Sequence, residues 1–216
     1  MRALEITRRL GASACLTFAL HAIAFDISGK IVDQHGVPVA NAVVTATTAT
    51  AAAAPQRAAE IDQADKEFVP FVTVVQTGSS ITFPNHDTVR HQIYSFSPAK
   101  KFDLPLYAQT TPPPVPFDKP GVVVIGCNIH DWMLAYIDVV DTPYFTKTDA
   151  TGTVALSGLP RGQYTVQVWH PNLKDPLPAT RVVTINTNDF ALGTIVLHLQ
   201  TPAPLRHAPL PNQRDY

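Results

Sequence analysis

The chain has 216 residues, 16 of them Lys or Arg and 17 Asp or Glu. The first 24 residues hold three Arg and one Glu, so the remainder carries 13 basic and 16 acidic residues, a net charge of −3 with His neutral. That mildly acidic balance argues against nucleic acid or an anionic lipid surface as a partner, and abundant Val, Ile and Thr without long helical periodicity predict an all-β protein.

Residues 1–24 read as a secretory signal peptide. Arg2, Arg8 and Arg9 form a positive start, Leu10 to Ala24 is largely apolar, and Ala22-Ile23-Ala24 offers a small-residue cleavage site. The apolar run is too short to cross a bilayer comfortably, and no second apolar span follows, so the expectation is a periplasmic or secreted protein without membrane insertion. Cys15 lacks the Leu expected ahead of a lipoprotein cysteine. Removing the leader leaves Cys127 as the single cysteine and Met133 as the single methionine. One cysteine excludes an intramolecular disulfide, and in an exported protein it marks a reactive or ligating thiol.

Ile27 to Asp33 alternates apolar and polar residues and predicts a strand; Gln34-His35-Gly36 is a turn, and Ala42–Thr48 is a second strand. Ala49 to Ala59 is Ala-rich and reads as a connector or a short irregular helix. A new β series begins near Phe68, with strands at Val69–Val75, Ser80–Phe83, His91–Phe96, Val122–Ile125 and Ala135–Val140. Lys100 to Pro120 reads as one long connection, because Pro112-Pro113-Pro114 cannot sit in a central strand. Asp141-Thr142-Pro143-Tyr144 closes this block. Turns at Thr148–Gly152 and Leu159–Gly162 then frame strands at Thr153–Leu156, Gln163–Trp169, Arg181–Ile185 and Thr194–Leu199. The tail, 201–216, is predicted to be disordered.

Two N-terminal strands alone are not stable in water. The simplest organisation is one discontinuous sandwich from residues 25–59 and 142–200, with residues 60–141 inserted as a second β-sandwich.

Chemistry concentrates in the inserted block. Cys127-Asn128-Ile129-His130-Asp131-Trp132-Met133 places a thiolate, an imidazole and a thioether three residues apart on one tight loop. Phe83-Pro84-Asn85-His86-Asp87-Thr88-Val89-Arg90-His91 supplies a second imidazole at His91. Soft sulfur donors with two imidazoles suit a mononuclear copper ion, with Met133 as a weak axial ligand. A thioether is a poor zinc ligand. Each residue also has a plainer reading: Cys127 and Met133 as buried apolar groups, His91 as a strand histidine. His86 reads as a solvated surface group, and His35, His170, His198 and His207 lack ligand spacing.

The C-x-x-H-x-x-M loop resembles that of amicyanin. Together with Phe83-Pro84-Asn85 and Phe117-Asp118-Lys119-Pro120-Gly121, it makes residues 66–141 similar to the cupredoxins, in particular the plastocyanin-like proteins of the methylamine-utilisation type. The resemblance implies a Greek-key β-sandwich with one type 1 copper held by His91, Cys127, His130 and Met133. Asn85 and Gln92 would lie directly behind those ligands. Cupredoxins usually carry Asn after the first His ligand, where it braces the Cys loop; here Gln92 stands there, and Ile129 replaces the common Pro before the second His. Gly29–Val39, Thr148–Gly152 and Leu159–Val166 look like two halves of a carboxypeptidase-regulatory-like (transthyretin-like) sandwich, which usually carries no chemistry.

The expected function is single-electron transport, not an enzymatic reaction, because the remaining histidines offer no second metal centre. The expected partners are redox proteins such as a cytochrome c or a periplasmic dehydrogenase, meeting the protein at Trp132 and the edge of His130. The alternatives are a copper storage or delivery protein, which the single methionine disfavours, and a metal-free binding or scaffold module.

Overall fold

The computed structural model describes residues 24–49, 58–175 and 177–200. Residues 1–23 of the leader, most of the Ala-rich connector and the tail from Thr201 therefore lie outside the described residues. The described chain is all-β, with seventeen strands and no helix.

The strands are β1 (Phe25–Asp33), β2 (Val43–Thr47), β3 (Ala59–Glu60), β4 (Asp62–Ala64), β5 (Glu67–Val69), β6 (Val72–Gln76), β7 (Ser79–Thr82), β8 (His91–Ser97) and β9 (Lys100–Tyr107). They continue with β10 (Val115–Phe117), β11 (Gly121–Gly126), β12 (Leu134–Val140), β13 (Tyr144–Lys147), β14 (Thr153–Leu159), β15 (Gly162–Trp169), β16 (Ala179–Ile185) and β17 (Phe190–Leu197).

Two sheets, ordered β14-β1-β17 and β13-β2-β15-β16, enclose one core. Ile27 and Ile31 of β1, Val44 of β2, Leu156 of β14, Val166 of β15 and Ile185 of β16 meet there. Strand geometry is the cause: alternate side chains point at the facing sheet. Gly152 sits in the turn before β14 at φ +71 and approaches the Ile31 backbone closely. Only a residue without a Cβ fits both conditions.

The second core lies between a five-stranded sheet, β6-β12-β11-β8-β9, and a three-stranded one, β10-β7-β3. It gathers Ile81, Phe83, Ile93, Phe117, Val123, Ile125, Ile137, Cys127 and Met133. The outer face of β12 meets the first sandwich: Tyr136 packs against Trp169, ring centroids 6.1 Å apart, and Lys147 Nζ donates to the Val72 carbonyl at 2.6 Å.

The Lys100–Pro120 connection is corrected. It contains β9, which forms a hairpin with β8, and β10, which pairs with β7. Both lie at the edge of their sheets, where Pro105 and Pro116 leave no central ladder bond unmade. The expected strand Val69–Val75 is divided into β5 and β6, and the short strands β3, β4 and β13 had no periodicity long enough to reveal them.

Candidate metal centre

The loop between β7 and β8 is shaped by Asn85. Its side-chain oxygen accepts from the Asp87 amide at 2.9 Å, and its side-chain nitrogen donates to the carbonyls of Val89 and Tyr107 at 3.1 and 2.8 Å. These bonds close an Asx turn and deliver the chain into β8 with His91 facing inward. β11 alternates in the same way: Val123 and Ile125 are core residues, so Cys127 also points inward as the strand ends. The single ladder contact between Gly126 and Tyr94 puts these two strand ends side by side.

The loop after Cys127 folds back on itself. The Cys127 amide donates to the Met133 carbonyl at 3.3 Å, and the Met133 amide donates to the His130 carbonyl at 2.9 Å. Bonds between its own ends bring His130 over Cys127 and bury Met133 at 2% exposure.

Three donor groups converge. His91, Cys127 and His130 are 0%, 4% and 8% exposed, and one ligand atom from each lies within 4.8 Å of the other two. His91 Nδ1 stands 3.9 Å from Cys127 Sγ and 3.1 Å from His130 Nδ1. The Ile129 amide donates to Cys127 Sγ at 3.5 Å. Asp87 Oδ2 accepts from His91 Nε2 at 2.7 Å. With its proton committed there, neutral His91 aims the lone pair of Nδ1 at His130 and Cys127. Two facing imidazole nitrogens in a buried site need a shared proton or a cation between them.

The electrostatics favour charge separation. Burial opposes an imidazolium at His91, but the Cys127 thiol and the Asp87 carboxylate outweigh it and hold His91 above the ordinary histidine value. Burial pushes the Cys127 thiol up, but His91 and the amides of Ile129, Gln92 and His130 more than offset it, leaving a lowered pKa. A thiol held towards thiolate beside two oriented imidazoles is a soft, nitrogen- and sulfur-rich donor set. The residues fit a copper ion, with Met133 folded into the same loop.

The other expected residues are placed as follows. The Gln92 side chain turns to Asp103, donating at 2.7 Å, while its amide is the part that faces Cys127. The Trp132 ring lies beside His130, tilted 53° to it with ring centroids 5.1 Å apart, and its indole N–H donates to the Lys66 carbonyl at 3.0 Å. His130 is 8% exposed, and the surface beside it is presented by Ile129, 52% exposed. His86 stays outside the cluster: it is exposed, and pairs with Asp62 at 2.8 Å. His170 is buried with its Nδ1 accepting from the Asn172 amide at 3.1 Å, a structural role.

Asp87 was missed. Its signal is a carboxylate four residues before a ligand-type histidine, a spacing that acquires meaning only once the loop geometry is known.

No protein-family model matches the chain, and no curated protein matches it. Solved structures do. A purple cupredoxin from Nitrosopumilus maritimus shares 22% identity over 38% of this chain and 99% of its own, with a TM-score of 0.35. An oxidised amicyanin variant shares 19% over 38% of this chain and 82% of its own, with a TM-score of 0.35. A copper-containing nitrite reductase from Thermus scotoductus shares 22% over 52% of this chain and 28% of its own, with a TM-score of 0.37.

Proposed function

We propose that this chain is an exported carrier of single electrons with one type 1 copper, ligated by His91, Cys127, His130 and Met133. The observation that carries the reading is the buried convergence of His91 Nδ1, His130 Nδ1 and the Cys127 sulfur, with ligand atoms within 4.8 Å of one another. A copper ion held there would supply one-electron chemistry, alternating between Cu(I) and Cu(II).

The protein's part is to bind, orient and exclude water. The β8 and β11 strand ends hold His91 and Cys127 from two separate segments. The Cys127–Met133 loop, tied end to end, holds His130 and Met133. Asp87 keeps the proton of His91 on Nε2, leaving Nδ1 free to ligate. Burial among Phe83, Ile125 and Ile137 keeps bulk water from competing for the donors. A largely preset cage keeps rearrangement small as the charge of the site changes by one.

Electrons would enter and leave near Ile129 and Trp132, through a small transient contact with a redox protein such as a cytochrome c or a periplasmic dehydrogenase. Among the described residues, the flanking sandwich of β1, β2 and β13 to β17 contributes no donor to the cluster and would serve as scaffold. A single methionine beyond the leader and a covered site favour a carrier over a copper store or delivery protein, and the one cluster found among the described residues favours a carrier over an enzyme. Voltammetry of the copper-loaded protein tests this: a reversible one-electron wave is expected, and copper that exchanges rapidly with a chelator without such a wave would favour delivery.

A further inference from the structure

The hairpin of β4 and β5 is joined by Asp65 and Lys66 alone. Both have positive φ, 53° and 59°, and the strands pair Ala64 with Glu67, Gln63 with Phe68 and Asp62 with Val69. That is the geometry of a two-residue primed turn, and it is disfavoured for residues with side chains, Lys in particular. Something outside the hairpin must hold it.

The structure shows what does. Asp87 Oδ1 accepts from the Asp65 amide at 2.8 Å, and Asp87 Oδ2 accepts from the Lys66 amide at 2.9 Å. The same Oδ2 accepts from His91 Nε2 at 2.7 Å. On the other side of the turn, the Lys66 carbonyl accepts from the indole N–H of Trp132, whose ring lies beside His130. Phe68, directly across the hairpin from Gln63, is buried in the same core cluster as Cys127 and Met133. One turn of backbone is thus bonded to both histidine-bearing segments, which are otherwise 39 residues apart.

We infer that the Asp62–Val69 hairpin is a clasp for the metal centre, with Asp87 as the positioning residue that couples it to His91. The inference rests on the copper reading only for its effect on the ion. The clasp belongs to the chain alone: three donors on one carboxylate fix the His91 ring and the turn together, before any ion binds. An Asn at position 87 keeps the size but cannot accept on both of its terminal atoms, so it must release either the Asp65 amide or the His91 and Lys66 side. A carboxylate also favours the higher charge of Cu(II), so its loss raises the reduction potential.

The test compares the wild type with Asp87→Asn, and with Asp175→Asn as a control that removes an exposed carboxylate of the flanking sandwich. Copper affinity is read by competition with a chelator, potential by voltammetry, and the turn by amide hydrogen exchange of Asp65 and Lys66 in the apo protein. Asp87→Asn is expected to weaken copper binding about 10–100-fold, raise the potential and speed exchange at both amides; Asp175→Asn is expected to do none of these. Wild-type affinity, potential and exchange in Asp87→Asn would overturn the clasp while leaving the copper reading intact. Should the wild type bind no copper, that reading falls by itself. The clasp is then decided in the apo protein, where unchanged exchange and unchanged His91 ring-nitrogen NMR shifts in Asp87→Asn would reject it.

Discussion

His91 and Cys127 stand 36 residues apart in the chain and bring Nδ1 and Sγ to 3.9 Å. Neither is placed by the other. His91 opens β8 after a loop set by Asn85, and Cys127 follows β11, and a sheet register joins the two ends. The donors are therefore preset by the fold.

This relationship gives the apo protein a pH dependence. His91 titrates above its ordinary value, and an imidazolium cannot ligate, so copper uptake should weaken as pH falls through that raised value. The Cys127 thiol titrates below its ordinary value in the fold, so opening the apo protein with denaturant should raise the pH at which it ionises. Chelator competition from pH 8 to pH 5 checks the first expectation, and uptake that does not change over that range would contradict it.

Met133 is expected to set the potential without setting the colour. A Met133→Gln variant should keep the thiolate-to-copper band and lower the reduction potential, because an amide oxygen is a harder donor and favours Cu(II). Loss of colour with an unchanged fold would show that Met133 does more than tune the potential.

Asp138 makes stability depend on pH at the contact between the sandwiches. It lies on the outer face of β12, is 9% exposed, and burial lifts its pKa from 3.8 to about 6. The native state then binds the proton more tightly than the unfolded chain. The stability that this group contributes is present below the unfolded value and is lost as pH rises through about 6, on the order of 2–3 kcal/mol. Asp138→Asn should stabilise the protein by that order at pH 8 and by little at pH 4, read by urea unfolding. Equal effects at both pH values would contradict the assignment.

The two cores should respond separately. Leu156→Ala and Ile125→Ala each empty a buried aliphatic site and should each cost about 2–5 kcal/mol. Only Ile125→Ala, two residues before Cys127, should disturb copper binding. If Leu156→Ala weakened copper binding as strongly, the sandwiches would not be independent supports.

The legible part of this protein is local. Cys127, His130 and Met133 stand out because one short loop carries all three, and the alternation of β8 and β11 points His91 and Cys127 to the same side. β1 is equally plain from its period of two, and β2 and β15 from their runs of Val and Thr. What stays hidden is tertiary or very short. Asp87 draws its amide partners from Asp65 and Lys66, more than twenty residues upstream, and nothing near it in sequence announces them. β9 is masked by Pro105, which an edge strand tolerates. β3, β4 and β5 have two or three residues each, too few for a period to form. Gln92 matches a position where a bracing Asn is usual, but its side chain follows strand geometry out to Asp103 on β9, and its amide faces the thiol instead.

The most direct measurement adds Cu(II) to purified apo protein and records the visible spectrum. An intense thiolate-to-copper charge-transfer band, absent from a Cys127→Ser variant that binds copper only weakly, is the predicted result. A colourless protein at saturating copper, or a band that survives the Cys127→Ser change, would contradict the proposed site.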